Sequence, residues 1–117
     1  MDIKHRSFDF SLDIVQLCQN LPAQTGVSAE LALSLLRAGT ALAIQVEEAH
    51  GSPKSDFIAH MQTAAAAARE AHYWLRLLRA SDLASEAEID PLQDEAQQLA
   101  AILSSIVKTA KRNDDKG

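Results

Sequence analysis

The chain has 117 residues, of which 47% are hydrophobic and only 4% aromatic, and its formal net charge is −5. One domain over residues 1–117 suits this length, and the acidic charge disfavours nonspecific binding to polyanions unless basic residues are gathered locally. Cys18 is the only cysteine, which excludes an intrachain disulfide, and no stretch has the pattern of a signal peptide or a membrane span. We therefore expect a cytoplasmic, soluble protein without membrane contact.

Four amphipathic segments, rich in Ala, Leu, Gln and Glu, predict an all-α fold. The first predicted helix covers residues 8–21 and ends before Pro22. Cys18 lies in its apolar stripe, where we expect it to act as a small core residue. The second predicted helix covers residues 28–50, with Ser28 as its N-cap.

The second helix is apolar on more than one face. Its core stripe consists of Leu35, Leu36, Gly39, Leu42, Ala43 and Val46. Further apolar residues of this helix lie largely outside the stripe: Leu31, Leu33, Ala38, Ala41 and Ile44. In a small soluble domain, such a helix is usually central or is also covered by another subunit.

The third predicted helix, residues 53–83, is expected to be the central one. Gly51 is predicted to adopt the left-handed conformation that ends a helix, with Ser52 as the next N-cap and Pro53 at the first helical position. This tight connection predicts an antiparallel hairpin of helices two and three. The alanine run 64–68 lets neighbouring helices approach closely on more than one side.

The start of the fourth helix has two competing signals. Ser85 and Glu88 have the spacing of a capping box, whereas Asp90 and Pro91 offer an N-cap and a first helical residue. The proline favours the later start and a helix over residues 90–112. Four such helices with short links predict an antiparallel, up-down-up-down four-helix bundle.

A positive stripe on the third helix is the main candidate for a contact surface. It consists of Arg69, His72, Arg76 and Arg79, at spacings of three and four residues. Such a stripe is able to follow a phosphate backbone, together with Arg37 and the basic segment 108–112. We favour an ion-paired or solvated face instead, because acidic residues of helix four or of a neighbouring subunit are suitable partners. The partners considered on helix four are Asp90, Asp94 and Glu95.

The sequence contains no convincing catalytic or metal-binding constellation. Glu47 and His50 have the Glu-x-x-His spacing of di-iron bundles, but such sites need a second pair and two further carboxylates. Glu70 and His72 are two residues apart and therefore lie on different faces of a helix. We expect no metal, no cofactor and no enzymatic activity.

Several motifs resemble a bacterial family of four-helix bundle proteins, some of which are encoded in intervening sequences of large-subunit ribosomal RNA genes. The resemblance rests on residues 36–38 leading to 45–48, on Ser52 through Phe57 and Ile58, on Glu70 in its alanine-rich setting, and on residues 81–88. The resemblance implies that the bundle assembles into a ring, a homopentamer with a central channel. It also implies that Arg37, Glu48 and Glu70 occupy positions of the family motif. We expect the two glutamates to be partly buried, with Arg37 as the partner of a buried carboxylate.

Two functions remain open at this point. The favoured one is a non-enzymatic, oligomeric bundle that serves in assembly or scaffolding. The alternative is a nucleic-acid-associated accessory module, because similar accessory proteins of diversity-generating retroelements are basic and work with a reverse transcriptase. This chain is acidic, and Leu36 and Ala49 replace an arginine and a glycine of the family pattern. Nucleic-acid binding is therefore disfavoured.

Overall fold

A computed structural model describes residues 2–22 and 25–115 of the chain. These residues form four α-helices, and no strand occurs among them. The helices are α1 (Ile3–Asn20), α2 (Val27–His50), α3 (Lys54–Ala80) and α4 (Glu86–Asp115). Each helix packs on the next, and α1 also contacts α4, which closes a four-helix bundle. The predicted all-α fold is confirmed.

The core runs along the bundle axis and is built mainly of leucine and alanine. Its largest fully buried apolar side chains are Phe10, Ile14, Leu35, Leu42, Val46, Met61, Leu75, Leu78, Ile89, Leu99 and Leu103. Ala64, Ala68 and Ala71 are also fully buried. Because these side chains are only methyl groups, α3 packs closely against both α2 and α4, as expected for the central helix.

Helix α1 begins earlier than its apolar stripe predicts. It starts at Ile3, whereas the predicted first residue was Phe8. The carboxylate of Asp2 caps the helix by accepting a hydrogen bond from the His5 N–H at 2.8 Å, and this bond lowers the pKa of Asp2. Near the start of α1, a position that faces the core is occupied by Ser7, which is polar and buried. The first turns therefore lack the apolar periodicity from which a helix is predicted.

The ends of α2 use different caps from those predicted. Gly26, with φ 58°, is its N-cap, and the Ser28 hydroxyl donates to the Thr25 carbonyl at 3.0 Å instead of capping the helix. At the other end Gly51 has φ −98°, so the left-handed conformation predicted for it is wrong. The Ser52 hydroxyl donates to the Glu48 carbonyl at 2.6 Å and thereby caps the end of α2, not the start of α3.

The α2–α3 hairpin itself is present, with Pro53 at the cap position and α3 beginning one residue later. A hydrogen bond of 2.8 Å between His60 Nδ1 and Gln45 Oε1 joins the two helices. At its far end α3 stops at Ala80, three residues before the predicted end. Asp82 turns the chain there with φ 60°, and the Leu83 N–H donates back to the Leu78 carbonyl at 3.1 Å.

Helix α4 begins at Glu86 instead of the predicted residue 90, and Pro91 lies inside it. A capping box fixes this start: the Glu88 N–H donates to Ser85 Oγ at 3.2 Å, and the Ser85 N–H donates to Glu88 Oε1 at 3.0 Å. The bond from the Ser85 N–H, together with one that the Ser85 hydroxyl donates to Glu88 Oε1 at 2.9 Å, lowers the pKa of Glu88. The capping box therefore outweighs the single intrahelical hydrogen bond that Pro91 cannot donate.

Helices α1 and α2 approach each other closely at Gly39. A Cβ atom at this position would lie 3.0 Å from both Cγ atoms of Ile14. The Ser11 hydroxyl donates to the Gly39 carbonyl at 2.6 Å, so the contact is also tied by a hydrogen bond. The absence of a side chain at Gly39 thus sets the separation of α1 and α2.

Candidate functional surfaces

The four residues of the predicted positive stripe of α3 differ in their exposure and in their ion pairing. Arg69 and Arg76 are exposed, whereas His72 and Arg79 are partly buried. Arg79 donates to Glu86 Oε2 at 3.1 Å. Its partner is therefore an acidic residue of α4 that the sequence analysis did not consider, and Arg79 is already engaged within the chain.

Glu95, a predicted partner of the stripe, instead binds Arg6 of α1. The Arg6 guanidinium donates to both Glu95 carboxylate oxygens, at 2.8 and 2.6 Å, and to Gln98 Oε1 at 2.7 Å. The hydrogen bonds that Glu95 accepts raise the pKa of Arg6. This bidentate ion pair fixes the beginning of α1 on the middle of α4.

A groove between α3 and α4 brings together three cationic side chains from distant parts of the sequence. Arg69 of α3 faces Lys108 and Lys111 of α4 across a depression of about 380 Å³. The groove is completed by Gln62, Ala65, Ser104 and Val107. Ala65 and Val107 are buried, so they form the floor, while the longer polar side chains form the rim. We call this site the cationic groove.

Within the described part of the chain, the cations of the groove have no ion-pair partner. None of its lining residues is acidic, and none of its three cations forms an ion pair with another residue in the described part of the chain. The sequence identified Arg69 and the basic segment 108–112 as separate features. Their meeting depends on the antiparallel register of α3 and α4, which no local pattern specifies.

The predicted cluster of Arg37, Glu48 and Glu70 does not form within the single chain. All three residues are exposed, and no ion pair joins them in the structure described. Arg37 and Glu48 lie on the side of α2 that points away from its buried stripe, which explains their exposure. The expectation of partly buried carboxylates held by Arg37 is therefore wrong for the single chain.

A second surface, the apolar face, is formed by α1 and α2 on the side opposite the core. Its members are Phe8 and Leu12 of α1 with Leu33 and Ile44 of α2, which are 61%, 45%, 40% and 56% exposed. The Ser11–Gly39 hydrogen bond and an ion pair of 3.5 Å between Lys4 and Glu47 define the line along which the two helices meet. Helical periodicity places the four apolar residues just outside this line, on the outer side of both helices.

The exposure of α2 agrees with its unusual composition. The expectation that no stretch has the pattern of a membrane span is wrong for α2, which among the residues described is the one helix long and apolar enough to cross a membrane by length and composition. Core helices of soluble proteins share this property. Only 33% of its most apolar stretch is buried in the single chain. The bundle core therefore covers just part of the apolar surface that the sequence provides, as expected from Leu33 and Ile44.

The possible metal ligands are engaged in other interactions. Glu47 pairs with Lys4, and His50 Nδ1 lies 2.8 Å from the Val46 carbonyl. No group of three or more His, Cys, Asp or Glu residues suited to a metal ion occurs in residues 2–22 and 25–115. Cys18 is buried, as predicted, and burial raises the pKa of its thiol. This shift disfavours the reactive thiolate.

The fold and its surfaces define a small all-α protein that carries a cationic groove and an exposed apolar face. The chain belongs to the 23S rRNA-intervening sequence protein family, whose sequence model matches residues 1–105. The family resemblance deduced from the sequence is thus confirmed.

A similar solved structure comes from Bacteroides thetaiotaomicron VPI-5482 and is described as a protein with unknown function from the S23 ribosomal protein family. The similarity covers 92% of this chain and 99% of that chain, with a TM-score of 0.82 and 26% sequence identity. No curated protein matches the chain.

Proposed function

We propose that this protein assembles into a homopentameric ring and serves as a non-enzymatic scaffold in the cytoplasm. The observation that carries the proposal is the apolar face, on which four large side chains are exposed in the single chain. Family membership supports it, because the resemblance implies pentamers of four-helix bundles around a channel. The number of subunits rests on that resemblance, and the tendency to assemble rests on the exposed surface.

Burial of the apolar face supplies a driving force for assembly. Phe8 and Ile44 are 61% and 56% exposed in the single chain, so burying the remaining surface of either side chain contributes about 1–2 kcal/mol. Exposed neighbours that are buried together add their contributions, which must exceed the loss of translational and rotational freedom on association. In a closed ring every subunit takes part in two interfaces, so burial at both interfaces offsets its loss of translational and rotational freedom.

A cyclic ring needs two different surfaces on each subunit, and a second apolar surface is available on α3 and α4. It is a groove of about 430 Å³ whose apolar lining includes Phe57, Ile102 and Ile106. Because Arg6 holds the beginning of α1 at Glu95 and Gln98, α1 does not extend along α4 to cover Ile102 and Ile106. The apolar face of one subunit and this groove of the next are both apolar, so each is able to bury the other.

Replacing Ile44 by Glu tests the proposal. The side chain is 56% exposed in the single chain, so a carboxylate is tolerated in the bundle, but it would be desolvated in the proposed interface. We expect the I44E protein to keep its helical circular dichroism spectrum and to dissociate, as measured by light scattering after size-exclusion chromatography.

Ala101→Glu provides the matched control, because Ala101 is an exposed helical residue of α4 outside both apolar surfaces. We expect the A101E protein to have the mass of the unaltered assembly. The same mass for I44E and the unaltered protein would contradict assembly through the apolar face.

A further inference from the structure

We propose that the cationic groove between α3 and α4 is a binding site for phosphate groups. This site is separate from the apolar face and goes beyond the proposed scaffold function. The basis of the inference is the meeting of Arg69, Lys108 and Lys111 across one depression with no acidic residue in its lining.

The chemistry of the groove suits an oxyanion. Arg69 offers a planar guanidinium that is able to donate two parallel hydrogen bonds, and Lys108 and Lys111 add ammonium groups from the opposite helix. The Ser104 hydroxyl and the Gln62 amide supply further donors at the rim. Every charged group in the lining is therefore a cation, and every polar group is able to donate a hydrogen bond.

The cations of the groove differ from those that stabilise the bundle. Lys4, Arg6, Lys54 and Arg79 pair with Glu47, Glu95, Asp114 and Glu86, at 2.6–3.5 Å. By contrast, the three cations of the groove repel one another and, among the residues described, have no such partner. A bound phosphate would remove this repulsion, so its binding is favourable even though the net charge of the chain is −5.

The phosphate groups have two chemical sources, a free phosphate compound or a nucleic-acid backbone. A free phosphate would use the groove alone. A backbone would extend along α3 towards Arg76, which is exposed, seven residues beyond Arg69 and therefore on the same side of the helix about 10 Å away. The shared chemistry is recognition of phosphate, and the two sources predict different behaviour of the two probes described next.

The test uses the full-length protein in its natural assembly state and two probes, inorganic phosphate and a fluorescently labelled, mixed-sequence single-stranded RNA. Phosphate binding is measured from the width of the ³¹P NMR signal, and RNA binding from fluorescence anisotropy at several salt concentrations. The test protein carries Arg69→Gln and Lys111→Gln, which keep long polar side chains but remove two charges. The control carries Arg37→Gln, which removes an exposed arginine of α2 outside the groove. Because Arg37 lies one helical turn from Leu33 of the apolar face, light scattering must show that the R37Q protein keeps the mass of the unaltered assembly.

We expect the unaltered and R37Q proteins to broaden the ³¹P signal equally and the R69Q/K111Q protein to leave it narrow. If the source is a nucleic acid, RNA also binds, and the slope of log K against log salt changes from about −2.8 to about −1.4 as four phosphate contacts, with Arg76 included, become two. Phosphate binding without RNA binding supports the free compound as the source.

The proposal is overturned if neither probe binds, or if R69Q/K111Q and R37Q weaken binding to the same extent. A circular dichroism spectrum and thermal midpoint that match those of the unaltered protein establish that the double variant is folded. The I44E protein provides an independent comparison, since it alters the apolar face and leaves the groove intact. Its phosphate binding therefore reports on the groove separately from ring assembly.

Discussion

Ser7 is a buried polar residue whose hydroxyl has no hydrogen-bond partner within the described structure. Such a group loses its bonds to water on folding without replacing them. We expect Ser7→Ala to raise the free energy of unfolding by about 1 kcal/mol, because it removes this penalty and improves helix propensity. Urea denaturation at a fixed protein concentration measures the change.

Ser11, four residues along α1, is the matched control for this substitution. Its hydroxyl donates to the Gly39 carbonyl at 2.6 Å, so Ser11→Ala removes a satisfied hydrogen bond between helices. The expected loss is about 1 kcal/mol, opposite in sign to the effect at Ser7. If both variants changed stability in the same direction, the assignment of an unsatisfied hydroxyl to Ser7 would be wrong.

Asp13 makes stability depend on pH. Desolvation, together with the negative charges of Asp9 and Glu95, raises the pKa of this carboxyl. An acid with a raised folded-state pKa holds its proton more tightly in the folded protein. Its ionisation therefore lowers stability as pH rises through the unfolded-state and then the folded-state pKa, and the deficit is complete above the latter.

We accordingly expect Asp13→Asn to raise the thermal midpoint at pH 7. In strong acid the Asp13 carboxyl is protonated in both states, so the difference between the two proteins should become small there. Thermal unfolding followed by circular dichroism at the two pH values measures this. An equal difference at both pH values would mean that the stabilisation does not come from removing the charge.

The role of a residue could be predicted from the sequence where it depends on the local pattern. It could not be predicted where it depends on a partner far away in the chain. Cys18 was expected in the core and is buried, because its apolar stripe is visible in the sequence. The Arg6–Glu95 pair joins residues 89 positions apart, and no local pattern connects them. The cationic groove was missed as a unit for the same reason.

At the scale of the helices, the contact of α1 with α2 depends on Gly39. Ala is a better helix former by about 1 kcal/mol, but its Cβ would lie 3.0 Å from both Cγ atoms of fully buried Ile14. Overpacking of this kind typically costs about 1–3 kcal/mol. We therefore expect Gly39→Ala to lower the free energy of unfolding, by about 1 kcal/mol.

A double-mutant cycle with Ile14→Ala tests the cause. Ile14→Ala removes the two Cγ atoms and leaves the Cβ atom, which lies 3.2 Å from the methyl group that Gly39→Ala adds. Gly39→Ala should therefore be clearly less destabilising in the Ile14→Ala protein than in the unaltered protein. Chemical denaturation of the four proteins supplies the cycle. Additive effects of the two substitutions would show that the Ile14 contact is not the reason for the glycine.

Helix existence and order were predictable, because the 3.6-residue apolar period extends over most of each helix. The helix ends were less so. Pro91 is a strong local signal for a helix start, but the reciprocal bonds of Ser85 and Glu88 start α4 at Glu86. Similarly, Ser52 caps the end of α2 and not the start of α3. In both places, two chemically valid caps compete, and the three-dimensional contacts select one.

At the scale of the whole molecule, the apolar face and the cationic groove lie on different helices, although α3 and α4 also carry the apolar groove lined by Phe57, Ile102 and Ile106. The apolar face lies on α1 and α2, while the cationic groove lies on α3 and α4. This separation lets an assembly bury the first surface and keep the second accessible to phosphate. The surplus of apolar residues on α2 was visible in the sequence. The addition of Phe8 and Leu12 to the same face depends on how α1 packs against α2.

The mass of the unaltered protein in solution is the most direct test of the scaffold proposal. Light scattering after size-exclusion chromatography should be measured at low and high salt and over a range of dilutions. An apolar interface is little weakened by salt, so we predict the mass of a homopentamer of the 12.7 kDa chain in both buffers. A mass of 12.7 kDa at every protein concentration would contradict assembly and leave the apolar face without a partner copy.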